Sequence, residues 1–112
     1  MSENAMNGAE ALILGLEKIG IEIAFGIPGG SAIPLYDAMY KVRKKMKFVL
    51  VRHEQNAAHE ADGYARATGK PAAVLVTSGP GAANTVTGIM TAHMDSIPMI
   101  IITGQSVRGM LG

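Results

Sequence analysis

Apolar positions along this chain alternate between a helical period and short unbroken runs. The helical period covers four segments, at residues 7–20, 32–46, 53–68 and 82–93. Apolar runs rich in β-branched residues lie between or after these segments, at residues 21–27, 48–52, 72–77 and 99–103. Strands that are apolar throughout are typical of parallel sheets covered on both faces. The pattern therefore predicts an α/β fold with a doubly wound parallel sheet.

The ends of the predicted helices carry recognisable capping residues. Asn7 followed by Glu10 is typical of a helix start, and Gly20 and Gly69 are placed to end the first and third helices. No repeat or linker divides the 112 residues, a length that suits one domain. We expect residues 1–7 to form a leader and residues 8–112 to form the domain.

Composition excludes several classes of function. The net charge of +1 gives no bulk attraction to nucleic acid or to an anionic membrane, and we expect neither as a partner. The chain has no Cys, which excludes disulfides, thiolate metal sites and Cys nucleophiles. The longest strongly apolar stretch, residues 97–103, is far shorter than the roughly 20 residues of a membrane-spanning helix. A cytoplasmic location is expected.

Four polar or Gly-rich clusters follow the four predicted strands, at residues 26–31, 52–55, 77–84 and 103–105. The carboxyl ends of parallel strands meet at one edge of a sheet, and ligands bind there in open α/β folds. We therefore expect these clusters to form one site. Each has a plainer alternative: the glycines of the first cluster also serve a tight turn.

The third cluster is not a known phosphate motif. Asn84 occupies the third glycine position of a dinucleotide fingerprint, and no Gly-Lys-Ser/Thr follows as in a P-loop. Its glycines suit close approach to a flat ring. Glu54 is the acid nearest the expected edge and lies beside the Ala-rich face of a helix that we expect to be packed. A carboxyl group in such a place can exchange a proton with a heterocycle nitrogen, although a Glu at a helix start also simply favours the helix dipole.

Other candidate chemistry is weaker. The spacing of His53, His59 and His93 does not suit metal ligation, and no metal site is predicted. Five of the ten basic residues fall within residues 41–47, which we interpret as a solvated helix end rather than a nucleic-acid surface.

Taken together, the clusters resemble the N-terminal, pyrimidine-binding domain of enzymes that depend on thiamine diphosphate (thiamine pyrophosphate, TPP). Within that superfamily they are most similar to the large catalytic subunits of the acetolactate synthase (acetohydroxyacid synthase) family. The resembling stretches include Phe25-Gly-Ile-Pro-Gly-Gly30, Arg52-His-Glu-Gln-Asn-Ala-Ala-His59, Thr77-Ser-Gly-Pro-Gly81 with Asn84, and Asp95-Ser-Ile-Pro98 with Gly104-Gln105.

The resemblance implies roles for matching positions. Glu54 would contact the aminopyrimidine ring nitrogen of the coenzyme and favour the tautomer that removes the thiazolium C2 proton. The other implied positions are Gly29 and Gly30 at the reacting centre, Pro80 and Asn84 against the pyrimidine, and Gln105 on the substrate side. Glu54 and Gln105 are thus the implied catalytic residues, and Gly29, Gly30, Glu54, Pro80 and Asn84 the implied cofactor-binding residues.

The implied enzyme decarboxylates pyruvate and joins the two-carbon unit to a second 2-keto acid, in the synthesis of branched-chain amino acids. It is several times longer than this chain, and it binds Mg²⁺ and FAD through segments with no counterpart here. It is a homodimer or higher oligomer whose coenzyme also contacts the diphosphate-binding domain of a partner subunit, and a regulatory subunit can accompany it. We therefore expect the chain to be an N-terminal fragment, with a truncated pyrimidine-binding domain that is inactive alone.

Two alternatives remain open. The first is another thiamine-diphosphate enzyme, such as a glyoxylate carboligase or a pyruvate oxidase. The second is a small α/β interaction module without catalytic activity.

Overall fold

Helices and strands alternate along the chain in the order that its apolar pattern predicts. The computed structural model describes residues 5–111, so the first four residues of the predicted leader and the last residue of the predicted domain lie outside the described residues. The helices are α1 (Gly8–Lys18), α2 (Ile33–Val42), α3 (Glu54–Thr68), α4 (Pro80–Ala83) and α5 (Val86–Met94). The strands are β1 (Ile23–Gly26), β2 (Lys47–Leu50), β3 (Ala73–Val76) and β4 (Ile100–Thr103). Short 3-10 turns occupy Gly30–Ala32 and Arg108–Met110.

The four strands form one sheet in the order β2-β1-β3-β4, and every pairing is parallel. In the two central strands Phe25 is in register with Val74, and Val74 is in register with Ile101 of β4. After β1 the chain crosses to β2 on one side, and after β3 it crosses to β4 on the other side. The predicted doubly wound parallel α/β fold is confirmed, with its reversal point between β1 and β3.

Each face of the sheet has its own hydrophobic core. One core joins α1 and α2 to the sheet, through Ile13, Leu16, Ala24, Ala38, Met39 and Leu75. The other joins α3 to the opposite face, through Phe25, Ala57, Ala61, Val74 and Val76. All four residues of β3 are buried, because this central strand is covered from both sides. Two-sided burial explains why its sequence is apolar without alternation.

The predicted caps are confirmed at two helix ends. At the start of α1, the Asn7 side chain accepts a hydrogen bond from the Glu10 backbone N–H at 2.8 Å, and its own amide donates to the Glu10 carboxylate at 3.3 Å. At the end of α3, Gly69 has a φ of +75°, and its N–H donates to the Ala65 carbonyl. That left-handed conformation favours glycine.

The prediction that the second helix extends to residue 46 is wrong. It ends at Val42, and a turn follows whose backbone N–H groups face the side chain of Glu17 on α1. The Glu17 carboxylate accepts hydrogen bonds from the N–H groups of Lys44, Lys45 and Met46 at 2.8, 2.7 and 3.1 Å. These bonds replace the helical ones that the periodicity alone would favour.

The prediction of a single helix over residues 82–93 is also wrong. Helical structure begins earlier, at Pro80, and is interrupted at Asn84 and Thr85 before α5 begins. Thr85 is 1% exposed, and its hydroxyl donates to the Ala82 carbonyl at 2.6 Å. This local side-chain bond competes with helix continuation and leaves Asn84 at the end of a one-turn helix.

Helices α3 and α5 pack closely where Gly88 faces Ala58. A Cβ at Gly88 would lie 3.1 Å from the backbone carbonyl carbon of Ala58 and nearer still to its side chain. Overpacking of this kind costs about 1–3 kcal/mol. Gly63, within α3, has open space around its Cβ position and offers a matched control.

We expect Gly88→Ala to be less stable than Gly63→Ala by about 1–3 kcal/mol. Both substitutions gain the same helix propensity, so the difference between their free energies of unfolding isolates the packing effect. Urea denaturation of the two variants measures it. Equal stabilities would show that the two helices separate without cost.

Candidate functional site

The carboxyl ends of β1 and β3 meet at the reversal point of the sheet, where ligands bind in open α/β folds. The loop after β1 contributes Gly29, and the loop after β3 contributes Thr77. A Cβ at Gly29 would fall 2.5 Å from Cβ of Thr77, a separation that real Cβ atoms do not show. The two loops are therefore in contact only because residue 29 is glycine.

Two hydroxyl groups join these loops. Ser31 Oγ and Thr77 Oγ1 are hydrogen-bonded at 2.9 Å, and the Ser78 backbone N–H donates to Ser31 Oγ at 3.0 Å. Gly104, directly after β4, faces Ser31, and a Cβ there would lie 2.9 Å from the Ser31 carbonyl carbon. The end of β4 thus belongs to the same edge.

Glu54 enters this edge as the first residue of α3. Its Oε1 accepts a hydrogen bond from the side-chain amide of Asn84 at 3.0 Å, and its Oε2 lies beside Gly81, where a Cβ would stand 3.3 Å away. The same Cβ would be 2.6 Å from the Thr77 methyl. Glu54 is half-buried. One carboxylate oxygen is therefore fixed by an amide and the group remains accessible.

The start of α3 is set by His53, a role that sequence reasoning missed. His53 has an extended backbone with φ −152°, and its Nδ1 accepts a hydrogen bond from the Gln55 N–H at 3.0 Å. An imidazole nitrogen thus takes the capping position usually filled by Ser, Thr, Asp or Asn. The sequence signal for this capping role was the position of His53 at the start of an Ala-rich helix.

The remaining implied residues lie at the same edge with fewer contacts. Pro80 begins α4 and is exposed, and Gly30 begins the 3-10 turn with open space around its Cβ position. Gln105 follows Gly104, but its exposed side chain accepts a hydrogen bond from the Ser106 N–H at 3.2 Å rather than meeting Glu54. The structure therefore joins Glu54 to Asn84 directly, places Gly29 against Thr77, and shows no hydrogen bond from Gln105 to Glu54.

This arrangement suits a flat, nitrogen-containing ring. The half-buried Glu54 carboxylate can hold or accept a proton at a ring nitrogen, and the exposed Gly30 and Gly79 at the same edge have open space around their Cβ positions. Within residues 5–111, no group of three His, Asp or Glu side chains could hold a metal ion. The described residues at this edge thus offer a carboxylate to the ring of a ligand.

A cavity of about 520 Å³ lies at the opposite, amino-terminal edge of the sheet. Its lining includes Leu14, Glu17, Ile21 and Lys45, and none of the residues around Glu54. The candidate site is instead an open surface at the other edge, which indicates that a ligand there would need a second wall.

Two further polar features lie away from Glu54. The Tyr36 hydroxyl donates to the Leu75 carbonyl at 2.6 Å, and burial raises the pKa of Tyr36. Arg66 bridges α3 to the turn before β4, pairing with Asp62 at 2.9 Å and with Asp95 at 2.8 Å. Both features brace the fold.

No helix within residues 5–111 has the length and apolar character needed to span a bilayer.

Comparison with known proteins relates this site to a family. Residues 6–112 match the family model described as thiamine pyrophosphate enzyme, N-terminal TPP binding domain. The match covers nearly the whole chain and includes every residue of the candidate site.

Several bacterial proteins are similar in sequence. The acetolactate synthase of Arthrospira platensis is 54% identical over 109 residues, covering 96% of this chain and 19% of that protein. The acetolactate synthase large subunits of Haemophilus influenzae and Mycobacterium tuberculosis are each 51% identical over 107 residues, covering 96% of this chain. The chain spans only 17–18% of the length of these two relatives.

Proposed function

The chain belongs to the thiamine pyrophosphate enzymes, whose N-terminal TPP-binding domain it matches, and on that premise we propose that it serves as the pyrimidine-binding part of an acetolactate synthase large subunit. The proposed enzyme decarboxylates pyruvate and condenses the two-carbon unit with a second 2-keto acid, in cytoplasmic synthesis of branched-chain amino acids. Identities of 51–54% to acetolactate synthases support this assignment. The contact between Glu54 and Asn84 is the structural observation that carries it.

In this proposal Glu54 holds a proton at the pyrimidine ring nitrogen. Bound thiamine diphosphate supplies a thiazolium carbon that adds to the keto group of the substrate. The Asn84 amide keeps one oxygen of Glu54 oriented, so the other oxygen is the one available to the ring. The carboxylate shares this edge with the exposed Gly30 and Gly79, whose open Cβ positions let a flat ring approach the backbone.

The other implied residues have supporting parts in the proposal. Gly29 lets the loop after β1 contact Thr77, Gly30 keeps a side chain away from the reacting centre, and Pro80 directs α4 so that Asn84 reaches Glu54. Gln105 lies on the substrate side, where its exposed amide is free to turn from Ser106 toward a bound keto acid.

The proposal assigns Mg²⁺, the diphosphate and FAD to other parts of the enzyme. The residues of this chain that the structure describes hold no group of metal ligands, whereas Mg²⁺ requires several oxygen ligands. The second wall of the site is then a diphosphate-binding domain from a partner subunit.

We expect the 112-residue chain alone to bind thiamine diphosphate with Mg²⁺ more weakly than roughly 1 mM, because ring contacts alone do not offset the immobilisation of the whole coenzyme. The chain alone is then inactive. Isothermal titration calorimetry measures the affinity. A dissociation constant in the micromolar range would show that this chain binds the diphosphate itself. It would contradict the assignment of the diphosphate and Mg²⁺ to other parts of the enzyme.

We expect the chain to associate with itself as a homodimer or higher oligomer. The support is a row of exposed apolar side chains on α5: Val86, Ile89, Met90 and Met94 are 57, 40, 56 and 73% exposed. Exposed apolar patches of this kind commonly mark interfaces. Sedimentation velocity at rising concentration measures the state, and a monomer at the highest concentration would contradict the proposal. A regulatory subunit is a further proposed partner.

A chimera tests the function directly. Residues 6–112 of this chain replace the matching residues of the Haemophilus influenzae large subunit, to which they are 51% identical. We expect the chimera to form acetolactate from pyruvate with thiamine diphosphate and Mg²⁺. A folded chimera that binds the coenzyme but forms no acetolactate would favour another thiamine-diphosphate enzyme, and one that binds no coenzyme would favour an interaction module.

A further inference from the structure

The hydroxyl pair of Ser31 and Thr77 joins two loops at the site, and none of the implied roles uses it. Both side chains are half-buried, with Ser31 on the loop after β1 and Thr77 directly after β3. Ser31 Oγ meets Thr77 Oγ1 at 2.9 Å and accepts the Ser78 N–H at 3.0 Å. One serine side chain therefore binds two successive residues of the β3–α4 connection.

That connection leads into a helix too short to hold its own position. Helix α4 has four residues, and a single turn is not stable in isolation. It follows Gly79, whose φ of +60° lies in a region that glycine adopts readily. The placement of α4 must therefore come from tertiary contacts at its start, and the bond from Ser78 to Ser31 is one of them.

A second contact runs through the Thr77 side chain. A Cβ at Gly29 would lie 2.6 Å from the Thr77 methyl on one side, and a Cβ at Gly81 would lie 2.6 Å from the same methyl on the other. The methyl thus fills the space between the β1 loop and α4. Gly81 in turn borders Glu54, whose other oxygen is held by Asn84 just after α4.

We propose that Ser31 is a positioning residue: through Thr77 and Ser78 it sets the place of α4, and thereby the Asn84 amide that orients Glu54. Its significance for coenzyme binding rests on the proposed function, but the geometric inference does not. The Ser31 hydroxyl makes no hydrogen bond to the Glu54 carboxylate. It affects Glu54 only through Thr77, Ser78 and the Asn84 amide.

Nuclear magnetic resonance of the ligand-free 112-residue chain tests this. In Ser31→Ala, we expect hydrogen exchange of the Ser78 amide to become roughly tenfold faster, because its acceptor is lost. We also expect the side-chain amide signals of Asn84 to move toward those of a solvated amide. Thr77→Ala, which removes the hydroxyl partner and the methyl, should shift the same Asn84 signals.

Thr91→Ala is the matched control, because Thr91 also donates a hydroxyl hydrogen bond, to the Thr87 carbonyl at 3.0 Å on α5. It should leave the Ser78 and Asn84 signals in place. Unchanged Asn84 signals in a folded Ser31→Ala chain would overturn the proposal, even if Ser78 exchanged faster. Equal shifts in Thr91→Ala would overturn it as well.

These readouts need no coenzyme. A failure of the chimera to make acetolactate would therefore count against the proposed function and not against the positioning role of Ser31. Conversely, an active chimera with unmoved Asn84 signals in Ser31→Ala would leave the function standing and remove this inference.

Discussion

In the chimera, Glu54→Gln is expected to lower the rate of acetolactate formation about 10²–10⁴-fold, the usual effect of losing a positioned proton-transfer group. The amide fills the same space, and its oxygen can still accept the hydrogen bond from Asn84. It cannot hold a transferable proton at a ring nitrogen. Folding should therefore be nearly unaffected while the chemistry fails.

Exchange of the C2 proton of the bound coenzyme with solvent deuterium isolates this step from later ones. Glu60→Gln makes the same chemical change at an exposed position of α3 and should exchange at the parent rate. If Glu54→Gln also exchanged at the parent rate, Glu54 would be only a helix-start residue that favours the dipole.

Leu75→Ala is expected to reduce the free energy of unfolding by about 2–5 kcal/mol. Leu75 is 0% exposed in the central strand β3 and packs in the core beneath α1 and α2. Its removal leaves a cavity between the sheet and these helices. The free energy of unfolding of a domain is commonly only about 5–15 kcal/mol, so the variant loses a large part of its stability.

Leu12→Ala provides the comparison, since Leu12 lies on α1 but is 38% exposed. Surface substitutions usually stay within about 0.5 kcal/mol. Urea denaturation of both variants gives the two values. Equal decreases in the free energy of unfolding would mean that neighbouring side chains fill the space left by Leu75, or that the core does not depend on Leu75.

The architecture was accessible from the sequence because its determinants are local. Strands β1, β3 and β4 lie within the predicted apolar runs, and β2 begins one residue earlier than predicted, at Lys47. Asn7 and Gly69 mark helix ends through bonds to residues three or four positions away. Parallel pairing then followed from the alternation of strands and helices. The convergence of the clusters around Glu54 and Gly81 followed from parallel pairing alone.

Contacts between distant residues account for what the sequence did not predict. Glu17 ends the helical pattern from 27 residues away, by binding the Lys44 N–H. The contact between Glu54 and Asn84 spans 30 residues, and that between Ser31 and Thr77 spans 46. No periodic pattern in the sequence marks such pairs. The sequence therefore identified the Asn84 amide as a candidate site residue but could not show that it binds Glu54.

The carboxylate of Glu17 also makes one turn of the molecule sensitive to acid. Partial burial acts to raise its pKa, but the N–H groups of Lys45, Lys44 and Met46 outweigh this, and the pKa lies below the ordinary value of 4.5. The ionised group therefore stabilises the folded chain above that ordinary value, and the contribution disappears as the pH falls through the lowered pKa. Because this turn leads into β2, we expect acid to loosen the amino-terminal end of that outer strand.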